Sequence, residues 1–135
     1  MASTIRLELV TPERLLLSEE VDEVVLPGYE GEFGVLPGHT QFLAILNIGV
    51  LWYRKEGAVK KIALGGGFAE VTHDRVVVLA DTAERAGEID LERAKRARDR
   101  AEARLKELSL DNGTLAKVRA ALQRALARMA AGGGE

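Results

Sequence analysis

The sequence has 135 residues, a formal net charge of −2, 47% hydrophobic and 30% charged residues, and no cysteine. That length accommodates one ordinary domain or a small domain with a helical appendage, and the composition belongs to a chain that buries enough apolar surface to fold. The lack of cysteine excludes disulfides, thiolate nucleophiles and Cys-based metal centres, and no run of about 18 apolar residues offers a membrane span.

Charge is unevenly placed. Residues 1–86 hold 8 Lys/Arg against 13 Asp/Glu, a balance of −5, whereas residues 87–131 hold 11 against 7, a balance of +4. A basic C-terminal half invites an anionic partner, but no aromatic residue follows Phe68 to stack on bases. An acidic protein surface is therefore expected in preference to nucleic acid.

Met1-Ala2-Ser3-Thr4 passes directly into Ile5-Arg6-Leu7-Glu8-Leu9, without the basic segment and apolar core of a signal peptide. Ile5, Leu7 and Leu9, and further on Leu43 and Ile45, alternate with period two and predict strands. Val24-Val25-Leu26 and Val76-Val77-Val78-Leu79 are continuous apolar runs of strand length. Turn signals separate them at Pro27-Gly28, Pro37-Gly38, Asn47-Ile48-Gly49, Glu56-Gly57 and His73-Asp74. With no helical period in residues 1–86, the pattern predicts a compact antiparallel sandwich or barrel.

After Asp90 the period becomes helical. Leu91, Ala94, Ala97, Ala101, Leu105 and Leu108 form one stripe, Ser109-Leu110-Asp111-Asn112-Gly113 breaks it, and Leu115, Val118, Leu122, Leu126 and Met129 form a second. Two helices of roughly 17 residues, each about 25 Å long, are expected to make a hairpin over residues 88–131. Alanine on the seam allows close approach but buries little area, so the hairpin should be held less firmly than the sheet. Residues 132–135 read as a flexible tail.

Several residues suggest chemistry. Ser3, Ser18 and Ser109 stand without a histidine and carboxylate at triad-like positions, and His39 and His73 are too isolated for a metal site, so an independent enzyme is not expected. Gly65-Gly66-Gly67 lacks the Gly-Lys-Ser/Thr ending of a phosphate loop and precedes a strand-like Phe68-Ala69-Glu70-Val71; a β-bulge or a close backbone approach to a partner is expected. Asp90 is a natural helix N-cap, with Ile89 and Ala94 placed as a hydrophobic staple. On the exposed helix faces, Glu92–Arg96 and Glu102–Lys106 have the spacing of ion pairs, while Arg124 and Arg128 share one face.

Three segments carry a family resemblance. Glu30-Gly31-Glu32-Phe33-Gly34-Val35-Leu36-Pro37-Gly38-His39-Thr40, Leu64-Gly65-Gly66-Gly67-Phe68-Ala69-Glu70-Val71 and Val78-Leu79-Ala80-Asp81-Thr82-Ala83-Glu84 together resemble the epsilon subunit of bacterial F-type ATP synthases, the proton-translocating rotary ATPases. The resemblance implies about ten antiparallel strands in two sheets, followed by the helical hairpin. It further implies a non-catalytic rotor subunit of the central stalk, held on the cytoplasmic face of the inner membrane only through its complex. The sandwich would grip the gamma subunit, with His39, Gly65 and Gly66 at that contact, and would turn Glu32 toward the membrane c-ring. The hairpin would fold down on the sandwich or extend into the catalytic head. There its basic residues, including Arg93, Arg96, Arg104 and Arg119, would face an acidic loop of the beta subunit and restrain ATP hydrolysis. Ile89-Asp90-Leu91-Glu92-Arg93-Ala94 also matches the Ile/Leu-Asp-x-x-Arg-Ala motif with which some members bind ATP. By that match Ile89, Asp90, Arg93 and Ala94 would hold adenine and ribose, and Arg100, Arg124 and Arg128 the phosphates. ATP would be a regulatory ligand, with no cofactor required. The alternative is a free-standing ATP-sensing adaptor, which would share the hairpin site and need no rotor.

Overall fold

Period-two alternation buries one face of the first strand and leaves the other to solvent, and the structure realises this directly: in β1 (Ile5–Val10), Ile5, Leu7 and Leu9 are fully buried. The structure is a computed structural model that describes residues 4–107 and 110–132. β1 is followed by β2 (Leu15–Val21), β3 (Glu23–Gly28), β4 (Gly31–Val35), β5 (Phe42–Lys55), β6 (Ala58–Val71), β7 (Arg75–Ala80) and β8 (Ala83–Arg85). A short 3-10 turn, Ala86–Glu88, leads into α1 (Leu91–Leu105) and α2 (Asn112–Gly132). The strands run in the order β2-β1-β7-β6-β5-β3-β4, with β8 pairing to β6. All pairings are antiparallel except one: β1 runs parallel to β7, from Arg6 opposite Arg75 to Val10 opposite Leu79. The sheet is therefore mixed. β1 and β7 are remote in sequence, so no tight turn dictates their relative direction.

β5 and β6 are each 14 residues long and pair without a register shift along their whole length. Their buried faces nevertheless change phase. In β5 the buried Leu46 is even-numbered whereas Leu51 and Tyr53 are odd; in β6 the buried Ile62 and Leu64 are even whereas Ala69 and Val71 are odd. A strand swaps its inward face in this way when it passes from one layer of a sandwich to the other. The two crossings lie opposite each other, at Asn47-Ile48-Gly49 and Gly65-Gly66-Gly67. This accounts for eight strands among the described residues where about ten were expected: each of two strands serves both layers. It also corrects the expected bulge, because β6 stays in register with β5, and on its other edge with β7 and β8. The glycines instead permit a close backbone approach within the chain itself. A Cβ at Gly67 (φ 143°) would stand 2.1 Å from the Leu79 carbonyl oxygen, and one at Gly65 would stand 2.1 Å from Thr82 Oγ1.

Asp90 caps α1, its Oδ1 accepting from the Arg93 backbone N–H at 3.1 Å. Asp111 caps α2 in the same manner, accepting from the Thr114 N–H at 2.7 Å, and this bond holds its carboxyl below the usual range. α1 is packed on α2, and α2 lies on β5 and β6. The α1 stripe behaves as expected, with Ala94 and Ala101 buried. The α2 stripe does not: Ala125, Ala127 and Ala131 are buried while Leu126 is 45% exposed. Close approach of α2 to the sheet selects the residues with the least bulk. Each buried methyl contributes about 0.8 kcal/mol, against about 1.5–3 for a core Leu or Val, so this contact is weaker than the sandwich interior. The surface pairs also differ from expectation. Glu92 meets Lys95 at 3.6 Å instead of Arg96, Arg104 meets Glu107 at 3.7 Å, and the Glu102–Lys106 pair is not formed. Gly132 closes α2; Leu108, Ser109 and positions 133–135, part of the expected stripe, break and tail, lie outside the described residues.

Between sandwich and helices, the Glu88 carboxylate accepts from Arg14 Nη2 through both oxygens at 2.9 Å and from the Arg85 N–H at 2.9 Å. The Arg85 backbone bond, then Arg14, holds Glu88 below the usual carboxylate range. This latch should be complete above the ordinary glutamate value and lost as pH falls through the lower folded-state value. Thermal melts across that acid window should show falling stability in the unaltered chain, with a smaller fall and a lower neutral-pH starting point in Glu88→Gln. At the corner, Gly67→Ala should cost about 3 kcal/mol in urea unfolding, since Cβ meets backbone that cannot yield. Gly57→Ala, with φ 84° and open space around it, should cost only about 1 kcal/mol.

Candidate functional site

The turn Ala86–Glu88 brings the base of the hairpin back over β8, and a cavity of about 330 Å³ opens where β8, α1 and α2 meet. Its walls follow from helical spacing. Arg93, Ala94, Ala97 and Arg100 share a face of α1, and Ala121, Arg124 and Arg128 share a face of α2. The alanines let the axes approach, so arginines from both helices reach one volume. Six of the seven residues expected at a nucleotide line this cavity: Asp90, Arg93, Ala94, Arg100, Arg124 and Arg128. Ile89 does not. It packs with Ala63, Ala127 and Ala131 between α2 and the sheet, along with Ile48 and Val50. Its role here is to fasten the helix start to the sandwich.

Two charged lining residues were not expected from the sequence, Glu84 and Glu88. Glu84 Oε1 accepts from Arg128 Nε, joining β8 to α2 across a stretch of chain that no spacing rule connects. The only signal was that Glu84 closes one of the three family segments. Four guanidinium groups therefore face three carboxylates, but the carboxylates are already engaged: Glu84 by Arg128, Glu88 by Arg14 and Asp90 by the helix cap. Arg93, Arg100 and Arg124 make no ion pair among the described residues. Three uncommitted forks around one small volume suit a multiply charged phosphate chain, which planar guanidinium binds in bidentate fashion. No group of three or more His, Cys, Asp or Glu side chains among the described residues is placed to hold a metal.

The remaining expected contact residues lie on the sandwich. Glu32 is exposed in β4, opposite Pro27, beside the tip at Tyr29-Glu30, and makes no ion pair among the described residues. His39 is half-buried, its ring 5.3 Å from that of Phe42 and its Nδ1 2.9 Å from the Thr40 carbonyl. Gly66 is buried and Gly65 is packed on Thr82, so both are occupied within the chain. Near them is a feature that sequence patterning left unremarked. Ile45 pairs with Phe68, Phe68 with Leu79, and Leu79 with Val10, giving one apolar row across four strands. Ile45, Phe68 and Leu79 are 58%, 52% and 54% exposed, and Leu43 beside them 73%.

Comparison with known proteins agrees with this architecture. Residues 4–86 match the family described as "ATP synthase, Delta/Epsilon chain, beta-sandwich domain", and residues 88–133 match "ATP synthase, Delta/Epsilon chain, long alpha-helix domain". The ATP synthase epsilon chain of Nitratidesulfovibrio vulgaris is 53% identical over 129 residues, covering 96% of each chain. That of Geobacter sulfurreducens is 53% identical over 133 residues, covering 98% of this chain and 96% of its own. A chain in the cryo-EM structure of the Euglena gracilis mitochondrial ATP synthase (OSCP/F1/c-ring) superposes with a TM-score of 0.84 at 29% identity, over 97% of this chain and 82% of that one. A chain of the Tetrahymena thermophila mitochondrial ATP synthase central stalk and c-ring has a TM-score of 0.61 at 15% identity, over 95% and 96%, and shows the shared fold alone. Sandwich, hairpin and near-full-length identity lead to one conclusion: the chain belongs to the ATP synthase epsilon chain family, a family of non-catalytic subunits of that complex.

Proposed function

We propose that this chain is a central-stalk rotor subunit that couples the catalytic head to the c-ring during ATP synthesis and restrains ATP hydrolysis through its helices. The observation that carries this is the uncovered apolar row of Val10, Ile45, Phe68 and Leu79. Contiguous exposed apolar surface on a small domain marks a protein interface, and the other outer face of the sandwich is already covered by α2 at Ile48 and Val50. The gamma subunit is the partner that fits this face. His39 lies nearby, and Gly65 and Gly66 contribute by shaping the corner from which Phe68 emerges. Glu32, exposed at the β3–β4 tip, would meet the polar loops of the c-ring. A peripheral position on the cytoplasmic face of the inner membrane follows from those partners. No helix among the described residues is long and apolar enough to cross a membrane.

Regulation rests on the weak alanine contact of α2. A hairpin held by methyl groups can exchange the sandwich for another surface at small cost, and its arginines suit an acidic loop of the beta subunit. ATP in the hairpin cavity would oppose that exchange, because Arg93, Arg100 and Arg124 are gathered only while the helices lie closed. Its phosphates would also compete with Glu84 for Arg128.

Phe68→Asp combined with Leu79→Glu should weaken gamma binding by at least about 30-fold in calorimetry, the size of a hot-spot loss, while leaving the thermal midpoint nearly unchanged because both side chains are exposed. Unchanged affinity would remove the row as the docking face. For regulation, Arg124→Ala should weaken ATP binding to the isolated subunit about tenfold, and a chain ending at Gly87 should assemble with the catalytic head without restraining its hydrolysis. Hydrolysis restrained equally by the shortened chain would place inhibition outside the helices.

A further inference from the structure

Away from the hairpin site, a cleft of about 770 Å³ lies at the open end of the sandwich, between the β5–β6 turn and the base of the hairpin. Strand register decides what faces it. Tyr53 pairs with Lys60, Lys55 with Ala58, and Ile62 with Arg85, so the phenol and three of the cations share the inward face of this half of the sandwich. Lys61 also lines the cleft, making four cations against two carboxylates, Glu19 and Glu56. Lys55 is engaged by Glu19 at 2.8 Å, and Arg85 donates to the Leu16 carbonyl. Lys60 and Lys61 have no ion pair among the described residues.

The second observation is the phenol. Tyr53 is only 6% exposed, yet its hydroxyl has no hydrogen-bond partner among the described residues. The charges it feels are those of Glu19, Arg85 and Lys55, all on the cleft wall; burial first, then Glu19, pushes it above the ordinary tyrosine value. The hydroxyl opens onto a cleft with two positive charges in excess, and its proton is free for a ligand. We propose that the cleft is a second ligand site, which binds a small organic phosphate monoester as its dianion. The phosphoryl group accepts from Lys60 and the Tyr53 hydroxyl, and the organic part lies against Ile62 and Ala86. The excess of two charges matches a dianion better than a carboxylate. Because Ala86, Gly87 and Ala131 form one wall, a bound ligand bridges sandwich and hairpin and favours the closed arrangement.

Phenyl phosphate titrated into the full chain tests this by calorimetry and by amide chemical shifts. Saturable binding is expected, with shifts centred on residues 58–62 and 86–87 and an affinity at least about tenfold above that for benzoate, which carries a single charge. Tyr53→Phe, which keeps the ring, and Lys60→Ala, at an exposed position, should each weaken binding about tenfold. Arg124→Ala should leave it unchanged. The Tyr53 phenol should titrate still higher in the complex, since an adjacent dianion opposes tyrosinate. No saturation by about 10 mM would overturn the site. So would loss of binding in Arg124→Ala with retention in Lys60→Ala, which would put the ligand in the hairpin cavity. Should Tyr53→Phe fold poorly, Lys60→Ala alone decides, because its side chain contributes nothing to the core.

Discussion

The tight backbone contact at Gly67, under the Leu79 carbonyl, is the constraint on which the rest depends. It allows one long hairpin, β5–β6, to change its inward face halfway along and so to serve both layers of the sandwich. On one side of the corner the outer face is left bare, as the row through Ile45, Phe68 and Leu79. On the other, Ile48, Val50 and Ala63 form the seat for α2. A single bend therefore divides the outer surface into a bare apolar face and a face for the chain's own helices. A side chain at Gly67 would disturb both at once.

Each helix contact then grades from firm to loose. The core Leu, Ile and Val residues of the sandwich bury whole side chains, whereas α2 rests on methyl groups. Two polar ties reinforce the loose contact: Glu84 to Arg128 on α2, and Glu88 to Arg14 at the linker. Both are part-exposed, so both respond to salt. The arginine cavity draws on the same groups, since Glu84, Glu88 and Arg128 line it. An anion held by the arginine cavity would therefore be tied to the position of the hairpin.

Much of this was legible in the residues. Period two located the first strands, the change of period near Asp90 located the helices, and Asp90 caps α1 as its position suggested. Spacing put Arg124 and Arg128 on one face, and the family motif grouped them with Arg93 and Arg100, which line the same cavity. What failed did so for physical reasons. Periodicity rules weight large side chains, so they chose the stripe through Leu126 over the alanines that the close helix–sheet distance requires. Ile89, given to a nucleotide by the motif match, packs in the apolar seam at the linker and outside the arginine cavity. Glu84, the paired faces of β6 and the Tyr53 cleft depend on contacts remote in sequence, which no local pattern encodes. The resemblance implied about ten strands, and eight form among the described residues because two long strands each serve both layers without a break in register.

The parallel pairing of β1 with β7 bears on how the chain is made. β1 can form its hairpin with β2 as soon as both have been synthesised, but its other edge must wait until Arg75–Ala80 has been added, since Arg6 pairs with Arg75. Until then one side of the first strand presents unsatisfied backbone groups, a template for pairing with another nascent chain. Closure of that edge completes the sandwich only a few residues before the linker at Ala86–Glu88. Translation thus delivers the seat of α2 before α2 itself, and the helices, rich in local contacts and quick to form, emerge onto a surface already prepared to receive them.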